Sequence, residues 1–277
     1  MSDNSNTTST TSTTSRIVES FQSWIKNIPF ITRIILYTCV TLFLLDSVLS
    51  FFPTVLCYLS FNIYESWRLI TSTLFHINLL HLLFNMMAFI PFSTLLENSC
   101  GSVLYGYLML VFMITSSLMA VIISNTIYWI DPTAISYSCT IGLSGVVFLL
   151  VTVNCHWVTT PRSFILFPQS SFIGHLGGIV AAYIYLYRYL DIIMPSDHLI
   201  ISIQSSNHLQ SIVNLNYFIS FNPLNLHFNN NSNQNLDNGT NNNNGYFSRI
   251  SSYFQQQQQN NNNNNNSTTF NGQGRKY

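Results

Sequence analysis

Residues 101–124 read GSVLYGYLMLVFMITSSLMAVIIS, without a charged side chain. A helix of about 20 apolar residues crosses the hydrocarbon of a bilayer, and this run is long enough. Its surroundings are equally poor in charge, since from Gly101 to Trp157 the only charged residue is Asp131. Further apolar runs fall at 31–52, 74–96, 139–157 and 172–190. Of the chain's 277 residues, nine are Lys or Arg and nine Asp or Glu, 6% in all, against roughly a quarter in a soluble domain. Such a surface suits lipid rather than water, so the runs are read as five transmembrane helices of an all-α, polytopic bundle. A net charge of zero with scattered arginines leaves no footprint for nucleic acid.

Outside these runs the composition changes. Residues 1–15 are almost all Ser, Thr and Asn, too polar to order themselves and without a signal-peptide pattern. From about Asn222 the chain is rich in Asn and Gln, with homopolymer tracts at Gln255–Gln259 and Asn260–Asn266. The expected organisation is a polar tail over 1–28, a transmembrane domain over 29–192, and a mostly disordered Asn/Gln-rich tail over 193–277. Within that tail, Ile212–Phe221 is apolar enough to dock. The five cysteines (Cys39, Cys57, Cys100, Cys139, Cys155) have neither metal-site spacing nor a paired framework. They are read as small buried residues, and neither metal nor cofactor is expected. Arg16 and Lys26 precede the first run, Arg33 lies in its first turn and Arg162 follows the fourth, which predicts a cytosolic N-terminus; Arg68 is the exception.

Polar residues interrupt the apolar runs, and each costs a few kcal/mol in lipid unless it finds a partner. Asn78, His81 and Asn85 share one helix face. Ser144 sits in Gly142-Leu143-Ser144-Gly145, where glycines on both sides permit close backbone approach. At a helix N-terminus, unpaired amides and the helix dipole favour developing negative charge beside that serine. His175 heads a stripe with Gly178 and Ala182. A serine becomes an effective nucleophile when a base takes its proton, and Ser144 beside His175 would supply that pair. His81, Asn85 and the Ser144 amide could then hold an oxyanion. Read singly, each motif is also compatible with helix-to-helix packing or polar glue.

Taken together and in order, these residues resemble the rhomboid family of intramembrane serine proteases over about residues 60–190. The similarity runs from Trp67-Arg68 through His76, His81, Asn85 and Glu97 to Gly142-Leu143-Ser144-Gly145 and Gly174-His175 with Gly178. The resemblance implies Ser144 as nucleophile and His175 as general base in a dyad with no acidic third member. It implies His81 and Asn85 at the oxyanion hole, and structural roles for Trp67, Arg68, His76, Glu97, Gly142, Gly145 and Gly178. Substrates would be transmembrane-helix proteins cleaved within the lipid bilayer. A catalytically inactive relative that binds transmembrane helices in quality control or trafficking is the alternative, and a transporter or channel a third. An endomembrane location, the ER or Golgi, is expected, because the first 30 residues hold only Arg16 and Lys26 as basic groups.

Two features depart from the family pattern. Phe148 stands where the family often has tyrosine. More consequentially, the family has six spans, with a complete helix between those carrying serine and histidine. Here 158–171 holds two prolines, an arginine and a short apolar run, which does not make a spanning helix. Three outcomes follow: a partly extended return hidden inside the bundle, a last helix running the opposite way, or a segment missing from the sequence.

Overall fold

The computed structural model describes residues 19, 22–49, 65–131, 141–155 and 172–221, and among them it is helical with no strand. The elements are α1 (Phe30–Leu49), α2 (Arg68–Leu74), α3 (Leu79–Cys100), α4 (Ser102–Ile130), α5 (Ser144–Cys155) and α6 (Phe172–Leu186). A 3₁₀ turn (Asp191–Ile193), α7 (Asp197–Gln204) and the single-turn α8 (Gln210–Val213) follow. Helices α1, α3 and α4 are long and apolar enough to cross a membrane, while α5 and α6 are shorter apolar helices. The second run starts later than its hydropathy suggests. Residues up to Leu74 form the separate α2, and α3 begins only where the Asn78 side chain accepts the His81 amide at 2.8 Å.

The distribution of polarity is that of a protein in lipid. On α3, Leu79, Leu83 and Met87 are exposed while His81, Asn85, Ser93 and Glu97 are buried. Val48 on α1 and Trp129 on α4 likewise face outward. Polar groups thus turn inward to find partners, as hydrocarbon demands.

Glu97 gathers the end of the bundle at which α1 and α4 start. Its carboxylate accepts from the Ile31 and Thr32 amides at 2.9 Å each, the Thr32 hydroxyl at 2.8 Å and the Ser102 hydroxyl at 2.6 Å. A buried carboxylate is well matched to two helix N-termini, where amides lack intrahelical acceptors and the dipole is positive. The amides of Phe30 and Ser102 are taken by the carbonyls of Tyr217 and Ile219, at 2.9 and 2.8 Å. The fold therefore continues to Phe221. There, Gly101 (φ +82°) turns α3 into α4, and a Cβ on it would lie 2.9 Å from the Phe221 backbone.

Helix directions follow from these pairings. α3 ends where α1 and α4 begin. α6 runs antiparallel to α4, since Gly177 backs on Ala120, Tyr185 meets the edge of Phe112, and the Tyr107 hydroxyl donates to the Ile193 carbonyl. Residues 193–221 thus lie at the same end as the start of α1. α5 begins beside Ser116 and stays buried through Thr152, Val153 and Asn154. The far part of α4, by contrast, is exposed at Ile122, Tyr128, Trp129 and Ile130. α5 must therefore run toward the start of α4, in the same direction as α6. The reversed last helix anticipated as one outcome does not occur. The link between them, 156–171, lies outside the described residues. Its 16 residues reach about 50 Å extended, ample beside the roughly 18 Å rise of the 12-residue α5.

Candidate active site

The close approach of α5 and α6 is built on glycine. An added Cβ on Gly178 would lie 2.8 Å from the Gly145 carbonyl carbon, with the carbonyl oxygen nearer still. One on Gly145 would lie 3.1 Å from the Gly174 carbonyl oxygen. The two backbones therefore touch, as small-residue helix pairs in membranes do. Gly177 does the same against Ala120 of α4, where a Cβ would meet the Ala120 amide nitrogen at 2.6 Å. That third contact was missed from sequence, although Ser116 and Ala120, spaced by one turn, were its signal.

Ser144 is the first residue of α5 and is buried. Its neighbour Gly145 lies against Ser116, 14 residues from either end of the 29-residue α4, or about 21 Å at helical rise. The serine thus lies at the mid-depth of a helix long enough to span the bilayer. Phe148, one turn further along the same face, carries the His175 ring stacked on its own at 4.1 Å between centroids and 27° between planes. His175 is in the first turn of α6 and buried. The missing tyrosine hydroxyl at 148 therefore leaves the aromatic platform intact.

His81 and Asn85 occupy the first two turns of α3, and His81 faces the loop that leads into Ser144. Gly142 has φ +111°, and a Cβ there would lie 2.6 Å from His81 Cε1. Glycine is thus required twice over, by backbone conformation and by the imidazole. The Gly142 amide donates to the Ser72 carbonyl at 2.9 Å, which ties the loop to α2. Asn85 Nδ2 donates to the His81 carbonyl at 2.9 Å. His81 Nε2 and Asn85 Oδ1 are buried without a hydrogen-bond partner among the described residues. Buried polar atoms left unpaired are costly. His81 also lies within electrostatic reach of His175.

The remaining motif residues form the frame. His76, in the loop ahead of α3, meets His81 edge-on at 5.2 Å between ring centroids. Burial, then the nearby His81 imidazole, lowers its pKa to about 3, so it is neutral at physiological pH. Arg68 pairs with Glu65 at 3.2 Å and lies 5.4 Å from the exposed Trp67 ring, on the loop side of the bundle. Glu97 is remote from the serine, at the other end of α3. Among the described residues no cluster of His, Cys, Asp or Glu has the makings of a metal site.

Residues 64–168 match the family described as Rhomboid domain. This stretch of the chain is a rhomboid domain. It is 27% identical to Rhomboid-like protein 15 of Arabidopsis thaliana over 227 residues, covering 71% of this chain and 56% of that one. It is 27% identical to Rhomboid-related protein 4 of Homo sapiens over 143 residues, covering 44% of this chain and 45% of that one. With Rhomboid protease GlpG of Haemophilus influenzae it shares 28% over 146 residues, 48% of this chain and 69% of that one. The chain spans about half the length of the first two of these relatives. Together with the apolar helices, the rhomboid domain makes this an integral membrane protein.

Proposed function

We propose that this rhomboid-domain protein is an intramembrane serine endopeptidase that cleaves transmembrane-helix substrates through Ser144 and His175. The observation that carries the reading is the His175 imidazole stacked on Phe148, one turn beyond Ser144, across helices in backbone contact. Similarity to a relative named a rhomboid protease agrees with it.

In this mechanism His175 takes the Ser144 proton as the hydroxyl attacks the scissile carbonyl, then returns it to the leaving amine. The unpaired His81 Nε2 and an Asn85 amide hydrogen face the developing oxyanion, joined by the backbone amide at the start of α5. The polar stripe that lipid would reject then lines a water-filled cavity, from which the acyl-enzyme is hydrolysed. The substrate helix must unwind locally to present its carbonyl. We further propose an ER or Golgi location, to be checked by microscopy of the tagged chain.

The test is reconstitution in liposomes with a transmembrane substrate containing helix-weakening residues. Wild type is expected to cleave it, Ser144→Ala and His175→Ala to be inert, and His81→Ala or Asn85→Ala to slow turnover by about 10²-fold. A folded wild type that binds such helices without cleaving them would favour the inactive alternative.

A further inference from the structure

Away from the serine, a groove of about 670 Å³ runs between the N-terminal turn, α1 and α3. Trp24 and Ile28 line one side, Tyr37 another, and Leu83, Met87 and Pro91 a third. The walls are almost entirely apolar. Along α3 the lining runs from Leu83 to Thr94, about 16 Å at helical rise, close to half the roughly 30 Å hydrocarbon thickness. The groove is therefore about one leaflet deep, and the turn ahead of α1 forms part of its wall.

The turn that borders it carries a positive charge. Lys26 is exposed, lies between the lining residues Ile25 and Asn27, and has no ion-pair partner among the described residues. Arg33 Nη2 donates to the carbonyls of Ile25 and Ile28 at 2.9 Å each and of Lys26 at 3.3 Å, which pins the turn against α1. Trp24 is half exposed at the same level, in keeping with a ring at the headgroup boundary. Tyr37, Leu83 and Met87 are exposed as well, so the groove is continuous with the lipid-facing surface.

We propose that this groove is a phospholipid site that holds an acyl chain against Met87 and Pro91 and an anionic headgroup at Lys26. An apolar trough one leaflet deep fits a chain, and the positive charge on the turn that borders it favours a negative headgroup. The site is independent of the catalytic reading and would persist in an inactive protein.

The test uses the full chain in nanodiscs of phosphatidylcholine with a minority of phosphatidylserine. The protein is transferred to mild detergent, and the lipid it retains is quantified by native mass spectrometry. Wild type is expected to retain phosphatidylserine several-fold above its bulk fraction. Lys26→Gln, an exposed substitution with little bearing on folding, should bring the retained lipid back to the bulk ratio. Met87→Trp, which fills the groove, should lower the total lipid retained. A bulk ratio in wild type, or unchanged selectivity in Lys26→Gln, would overturn the proposal. So would crosslinking of a photoreactive residue at Leu83 to a second copy of the chain, which would make the groove a self-association surface.

Discussion

Gly178→Ala is the sharpest perturbation of the arrangement. The new methyl carbon would start 2.8 Å from the Gly145 carbonyl carbon, where ordinary carbon contacts begin near 3.5 Å. Relief requires a retreat of at least about 0.7 Å, and the obstacle is backbone rather than the end of a flexible side chain. α5 and α6 must therefore part, carrying Phe148 and His175 with them. Overpacking of this kind costs about 1–3 kcal/mol, and a misplacement near 1 Å at reacting groups costs about 10²-fold in rate. Unfolding in mixed micelles and cleavage of a reconstituted transmembrane substrate read the two effects separately. The control is Gly106→Ala, where the nearest obstacle is the end of the Ile31 side chain at 3.3 Å; it is expected to cleave normally. Wild-type stability and turnover in Gly178→Ala would refute the backbone contact as the feature that sets the site.

Glu97→Ala removes the acceptor for four donors at two helix starts. It should cost at least about 3 kcal/mol in reversible unfolding, at roughly 1–3 kcal/mol per stranded buried group, with Glu97→Gln milder. His76 is held neutral with its pKa lowered to about 3, whereas the unfolded chain takes up that proton below about 6.5. Its contribution to stability is therefore complete above pH 6.5 and falls as the pH drops from 6.5 toward 3. Unfolding titrations should show this slope in wild type and a flatter one in His76→Phe. Because the start of α1 and residues 193–221 share one end of the bundle, tags at the two termini should be digested together, or protected together, in sealed vesicles. Digestion of one alone would contradict the parallel course of α5 and α6.

The membrane bundle was legible in sequence because lipid imposes long apolar runs, and the candidate site because polar residues in such runs stand out. His81, Asn85, Ser144 and His175 were each visible on those grounds. The clamp around Glu97 was not, since Thr32 and Ser102 are common residues in membrane helices and only the fold brings them to one carboxylate. Nor was the docking of Tyr217 and Ile219 onto helix starts, which is made by backbone carbonyls and leaves no pattern in side chains. The direction of α6 also escaped the sequence. It depends on Ala120, Phe112 and Tyr107 meeting Gly177, Tyr185 and Ile193, and the span of sequence between Cys155 and Phe172 carries no information about those pairings.

The central claim is that Ser144 is an activated nucleophile, and a fluorophosphonate probe tests it most directly. The purified full chain is labelled in detergent, digested, and the modified peptide identified by mass spectrometry. Covalent label on Ser144 in wild type, lost in Ser144→Ala and strongly reduced in His175→Ala, is the expected result. Equal labelling of wild type and Ser144→Ala, or no labelling of a folded wild type, would contradict it.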